Sequence, residues 1–302
     1  MKLSARLTDR SAKAALCRVL DERASMACTE LSNYGANADL RTLRKRVKEL
    51  RGLLRLTRSG LADAKALDMQ LRDAAQGLSQ TRDLDVMLDS LDTLTAGLRA
   101  PARFAELRRI LLDARAAQPA SDLVSAQKAY RATIAALQQR VTTLSLTEKA
   151  SVLIWRNAQI SYRRVQRDHL RARQARRNGL DAEPFHEWRK GIKRHWYQAR
   201  FLAAMKPGKM KTHISRIDHL GKTLGAHNDL DVMMGFLDAT PDLSAQDAEA
   251  RDILRRHVLS RRMTLARDAL HHAETALAPS PEDLIEQWQC WWHHWRAQRK
   301  SV

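Results

Sequence analysis

Two fifteen-residue segments carry cations at matching positions. Residues 41–55 read RTLRKRVKELRGLLR and residues 186–200 read HEWRKGIKRHWYQAR. Superposed, Arg44, Lys45, Lys48 and Arg55 fall on Arg189, Lys190, Lys193 and Arg200. Each residue of an α-helix advances by roughly 100°. Arg41, Arg44, Lys45, Lys48, Arg51 and Arg55 therefore share one face, with Leu43, Val47, Leu50 and Leu54 opposite. In the second segment His186, Arg189, Lys190, Lys193, Tyr197 and Arg200 share a face, while Trp188, Ile192 and Ala199 lie on the other. Arginine offers a planar fork to phosphate oxygens and lysine a compact point charge. The chemistry predicted for such faces is noncovalent capture of a polyanion.

Like charges at i, i+4 repel by a few tenths of a kcal/mol per pair, and within the two runs only Glu49 and Glu187 interrupt them. A solvated helix normally interleaves more acids, so the pattern predicts an anion lying on these faces. Arg82, Arg163, Arg164, Arg167, Arg261 and Arg262 are further candidate cations, selected by charge alone, and Arg82 is included in the expected binding set. His186 can donate to phosphate and gains charge below about pH 6.5, which predicts tighter anion binding in mild acid.

A second motif repeats in the same order, TRDLDVM at 81–87 and HNDLDVM at 227–233, at nearly the same offset of about 145 residues. Two matched motifs at one spacing imply an internal duplication. The expected architecture is all-α: two helical bundles, residues 1–145 and 146–302, packed so that the copies face each other. The acidic motifs read as helix starts, with Asn228 or Asp229 as a cap, Asp231 in the first turn, and Asp83 and Asp85 doing the same in the first half. The competing reading gives Asp83, Asp85, Asp229 and Asp231 a divalent metal beside phosphates.

The elements that must position these faces are helices. Only 11 Gly and 7 Pro punctuate 302 residues, and apolar positions recur at i, i+3, i+4 and i+7. Breaks are expected at Asn33 to Gly35, Ser59-Gly60, 77–82, Gly97 to Pro101, Gln118 to Ser121, Asn178-Gly179, Lys206 to Gly208, Gly225 to Asn228, Thr240-Pro241 and Ala278 to Pro281, about six helices per half. Residues that are 44% hydrophobic suffice for a core, and a formal charge of +19 points to nucleic acid, an anionic membrane or a phosphate polymer as partner.

Cys17 and Cys28 are eleven residues apart on one predicted helix, about 16 Å, too far for a disulfide. With Cys290 they suit a reducing, cytoplasmic setting. No signal peptide or membrane span is read. No P-loop, GxGxxG, GxSxG or HExxH pattern occurs, so no nucleophile, metal or cofactor is predicted. Trp288, Trp291, Trp292 and Trp295 recur at helical spacing, as a packing stripe would.

With these motifs in view, the whole chain resembles the CHAD family, named for conserved histidines in an α-helical domain. HEWRKGIKRHWYQAR is similar to that family's His-x-x-Arg-(Lys/Arg)-x-x-(Lys/Arg)-(Lys/Arg) helix, and LGAHNDLDV to its LGxxRDxDV turn. Here Arg41 stands in place of the first histidine, Glu49 where a cation is expected, and Asn228 where Arg is usual. The resemblance implies two pseudo-twofold-related bundles around a basic central channel, and inorganic polyphosphate as the partner, with association to polyphosphate granules in some members. By position it places polyphosphate contacts on Arg44, Lys45, Lys48, Arg51 and Arg55, and on His186, Arg189, Lys190, Lys193, Arg194, Tyr197 and Arg200. The ExExK signature of a companion triphosphate tunnel domain is not found. The expectation is a non-catalytic polyphosphate-binding protein. The alternatives are a nucleic-acid binder, for which stacking aromatics are sparse, and a metal-dependent polyphosphatase using the four aspartates.

Overall fold

Where the expected breaks fall on described residues the helices stop at them, with one exception; Asn178-Gly179 lies outside those residues. The computed structural model describes residues 3–34, 40–78, 80–117, 120–177, 182–240 and 243–298. Among these lie eleven α-helices and no strand. The first six are α1 (Ala12–Tyr34), α2 (Leu40–Leu54), α3 (Ala64–Gly77), α4 (Gln80–Ala96), α5 (Ala105–Ala116) and α6 (Ala120–Thr142). The rest are α7 (Ala150–Arg177), α8 (Ala182–Phe201), α9 (Pro207–Ala239), α10 (Ala245–Ala276) and α11 (Pro281–Ala297).

The starts follow capping chemistry. Ser244 accepts the backbone N–H of Asp247 at 3.2 Å and Ser280 that of Asp283 at 3.0 Å, each satisfying a donor that the first helical turn leaves open. Pro207 and Pro281 open α9 and α11, where a missing N–H costs nothing.

The exception is Gly225 to Asn228. Instead of ending a helix there, the chain runs straight through α9 for 33 residues, so the described residues of the second half form five helices rather than about six, and Asn228, Asp229 and Asp231 are mid-helix residues that cap nothing. A helical glycine costs roughly 1 kcal/mol. Leu224, His227 and Leu230 are all buried around it, and their packing outweighs that cost. In the first half the acidic motif does lie near the start of α4.

Two cores hold the helices. The larger joins residues of α1, α2, α3, α6, α7, α8 and α11 to the N-terminal part of α9 and the C-terminal part of α10. The smaller combines α4 and α5 with the other ends of α9 and α10. Each core draws on residues from both sides of 145. In α2 the apolar face Leu43, Val47, Leu50 and Leu54 is buried, as are Trp188, Ile192 and Ala199 of α8, so the phase read from sequence sets which side of each helix faces outward. The tryptophan stripe of α11 packs inward: Trp288, Trp292 and Trp295 are buried, and Trp288 stacks on His195 with centroids 5.6 Å apart.

Candidate functional site

Helix α8 lies between α7 and α9 and also contacts α2, which brings the two basic helices together. Their crossing is close because Gly52 has no side chain. A Cβ there would lie 2.9 Å from the Cβ of Tyr197, nearer than carbon atoms pack. Tyr197 is buried in this crossing, and burial pushes its phenol well above the usual range.

Around the crossing the cations divide by their partners. Arg51 and Arg55 both donate to Asp68 of α3, at 2.9 and 2.8 Å, and lower its carboxyl to about 2 against the opposing effect of burial. Lys190 pairs with Glu187 at 2.7 Å. Lys193 is 3.8 Å from Asp218 and rests over the Trp196 ring at 5.4 Å. Burial, with Arg189 and Lys222 nearby, holds its ammonium below its ordinary pKa although Asp218 opposes the shift. It lies across α9 at Gly221, where a Cβ would come within 3.1 Å of its Nζ. Arg200 stacks on Trp196 at 4.5 Å and points to Glu49 at 3.5 Å. Arg41, Lys45 and Lys48 are exposed, while Arg44 and Arg189 are partly buried.

Glu49, the acid standing where a cation was expected, is a buried counterion. It accepts from Arg46 at 2.9 Å and faces Arg23 at 3.7 Å as well as Arg200. The acids that moderate the stripes are therefore not sparse in space, only in the local sequence: Asp68, Asp168 and Asp218 come from other helices. Nothing in the spacing of α2 or α8 points to them.

Arg194 is the outlier. It is partly buried, its Nε is sealed from solvent without a hydrogen-bond partner, and it forms no hydrogen bond or ion pair with any described residue. Loss of solvent lowers its guanidinium to about 10; Arg55 and Arg164 add to the shift, and Asp68 and Asp168 oppose it. Cations of α7, α8 and the turn that follows α2 thus meet at one place.

At the other end of the stripe, His186 is half-buried, with Nδ1 2.5 Å from Oδ1 of Asn228. His227 stacks on Phe185 and reaches Asp231 at 3.1 Å, and Asp231 also forms an ion pair with buried Arg262. Asp85 pairs with Arg115 at 2.7 Å. The side chains of Arg82 and Asp83 lie outside the described residues. Among the described ones, no group of three or more His, Cys, Asp or Glu is placed to hold a metal ion. Of the other candidate cations, Arg163 pairs with Glu282, Arg164 with Glu187, and Arg167 lies 3.6 Å from Asp168.

A family model for the CHAD domain matches residues 22–238. The chain belongs to the CHAD family. Two solved structures share its fold. The crystal structure of the CHAD domain from the plant Ricinus communis is 21% identical, with a TM-score of 0.61 over 90% of this chain and 93% of that one. PptA from Streptomyces chartreusis is 17% identical, with a TM-score of 0.61 over 87% of this chain and 99% of its own. No match is found among curated proteins. Both basic helices of this CHAD protein lie within the matched residues, as does Asp68. No helix among the described residues is long and apolar enough to cross a membrane.

Proposed function

We propose that this protein binds inorganic polyphosphate, without turning it over, along the cationic faces of α2 and α8, acting as two copies of one unit that line a basic channel. Arg194 carries the reading. A guanidinium withdrawn from water needs a partner to offset lost hydration, yet Arg194 has no paired carboxylate and has Arg55 and Arg164 beside it. An anion entering there would meet several donors already converged. A linear phosphate polymer suits rows of cations spaced about one helical turn, 5.4 Å, and demands no base recognition. The carboxylates on Arg51, Arg55, Lys190 and Lys193 hold those side chains in place until phosphate oxygens compete for them. Granule association and a cytoplasmic site of action belong to the same reading.

The test is titration with polyphosphate of defined length at several salt concentrations. Arg194→Met should weaken binding roughly ten- to hundredfold, the worth of a charge-assisted hydrogen bond. Replacing Arg189, Lys190 and Lys193 together with Ala should also flatten the log–log salt dependence by about 2, at about 0.7 per phosphate neutralised. Wild-type affinity in both folded variants would overturn the site. Sustained orthophosphate release by purified protein with Mg²⁺ would overturn the absence of turnover.

A further inference from the structure

We propose that His219 and His272 form a surface chelating pair for a divalent late transition metal, Cu²⁺ ahead of Ni²⁺ and Zn²⁺, separate from the cationic faces. The two residues are 53 positions apart, on α9 and α10, and their Nε2 atoms are 3.0 Å from one another. The rings meet at 69° with centroids 4.3 Å apart. Two imidazole nitrogens bound at about 2.0–2.1 Å to adjacent corners of a square-planar or octahedral ion lie about 2.8–3.0 Å apart, whereas tetrahedral binding needs about 3.3–3.4 Å. The observed separation matches the square geometry, which Cu²⁺ and Ni²⁺ favour, and Cu²⁺ heads the affinity order of divalent ions.

The helices supply preorganisation. α9 and α10 pack along most of their length, and Leu220 beside His219 and Ala269 and Ala273 beside His272 are buried, so the imidazoles are brought together by core packing and not by a mobile loop. Access is open, since the pair is exposed. Metal binding requires neutral rings, and partial burial with His219 and His271 nearby holds His272 below its ordinary value, against Asp268.

Without metal, one ring donates its Nε2–H to the other's Nε2. On binding, that proton moves to the donor ring's own Nδ1, both Nε2 lone pairs face the ion, and no net proton is released. Water fills the remaining corners. Other donors near the pair are engaged elsewhere: Asp218 with Lys222 at 2.9 Å, Asp268 with Arg267 at 3.4 Å, and His271 with Glu274 at 3.5 Å. A second histidine pair, His195 and His213, is just as close at 2.8 Å, but His195 is 1% exposed and lies beneath Trp288, so no ion reaches it.

The experiment is a Cu²⁺ titration of the full chain in a non-coordinating buffer, read by equilibrium dialysis and by electron paramagnetic resonance. One tight site with two nitrogen ligands is expected. His219→Ala and His272→Ala should each weaken it by more than the roughly tenfold that loss of a supporting contact costs. The double variant His293→Ala/His294→Ala, altering the exposed C-terminal pair, should leave it intact. Wild-type affinity in His219→Ala or His272→Ala, or loss of the site in the C-terminal variant, would overturn the assignment. Both altered side chains are at the surface, and equal melting temperatures without metal establish that the variants fold.

Discussion

Glu49→Gln isolates the electrostatics beneath the α2–α8 crossing. Glu49 is 1% exposed and lies within 4 Å of three guanidiniums, those of Arg23, Arg46 and Arg200. The group of four carries a net +2; with the amide it carries +3, and Gln keeps at most a hydrogen bond in which charged Arg46 donates to its neutral oxygen. Removing one partner of a buried ion pair costs about 3–5 kcal/mol, because the remaining charges stay desolvated and unpaired. Unfolding entropy near 2.1 cal/mol/K per residue gives about 0.6 kcal/mol/K for 302 residues, so the melting temperature should fall by roughly 5–8 °C. Glu30→Gln is the internal control. Glu30 also holds Arg46, at 2.6 Å, but its side chain is 20% exposed, and it should cost distinctly less. Urea denaturation at neutral pH reads both variants. A loss below about 1 kcal/mol for Glu49→Gln, or one no larger than for Glu30→Gln, would refute the view that Glu49 is the buried anchor of these cations.

Asp68→Asn releases Arg51 and Arg55 from their shared carboxylate and should tighten polyphosphate binding, steepening the log–log salt dependence by about 0.7 for each arginine gained; isothermal titration at three salt concentrations decides it. Gly52→Ala forces its new methyl against Tyr197 and should cost about 1–3 kcal/mol by overpacking, measured by urea denaturation. Acid should destabilise the fold through His195 and His213. Burial depresses both imidazoles, His213 to about 4, so between about pH 6.5 and 4 the unfolded chain binds more protons than the folded one. Stability from this pair is then fully present above about pH 6.5 and falls at up to about 1.4 kcal/mol per pH unit for each group as pH decreases. Replacing His213 with Phe should flatten that slope in denaturation curves taken at about pH 7.5 and 5.

Much of the helical plan was legible because turn chemistry is local. Ser280-Pro281 and Lys206-Pro207 start helices by capping and by fixed backbone angle, whatever surrounds them. The buried faces of α2 and α8 were equally legible, since helical phase depends only on residue spacing. Gly225 misled because its cost is small and the contacts outweighing it, those of Leu224, His227 and Leu230, are tertiary. For the same reason Asp231 read as an acid of a helix's first turn when it lies mid-helix with His227 and Arg262 as partners, and Glu49 read as a departure when it is the counterion at the crossing.

By itself, then, the sequence determined the helices, the sides of them that carry charge, and the duplicated pattern of cations, all consequences of neighbours within a turn or two. Only the tertiary structure decided which carboxylates answer which cations, why Arg194 is left without one, and how His219 comes to lie beside His272. Charge pairing and metal geometry depend on distances of 3–4 Å between side chains far apart along the chain, and those distances exist only once the helices have packed.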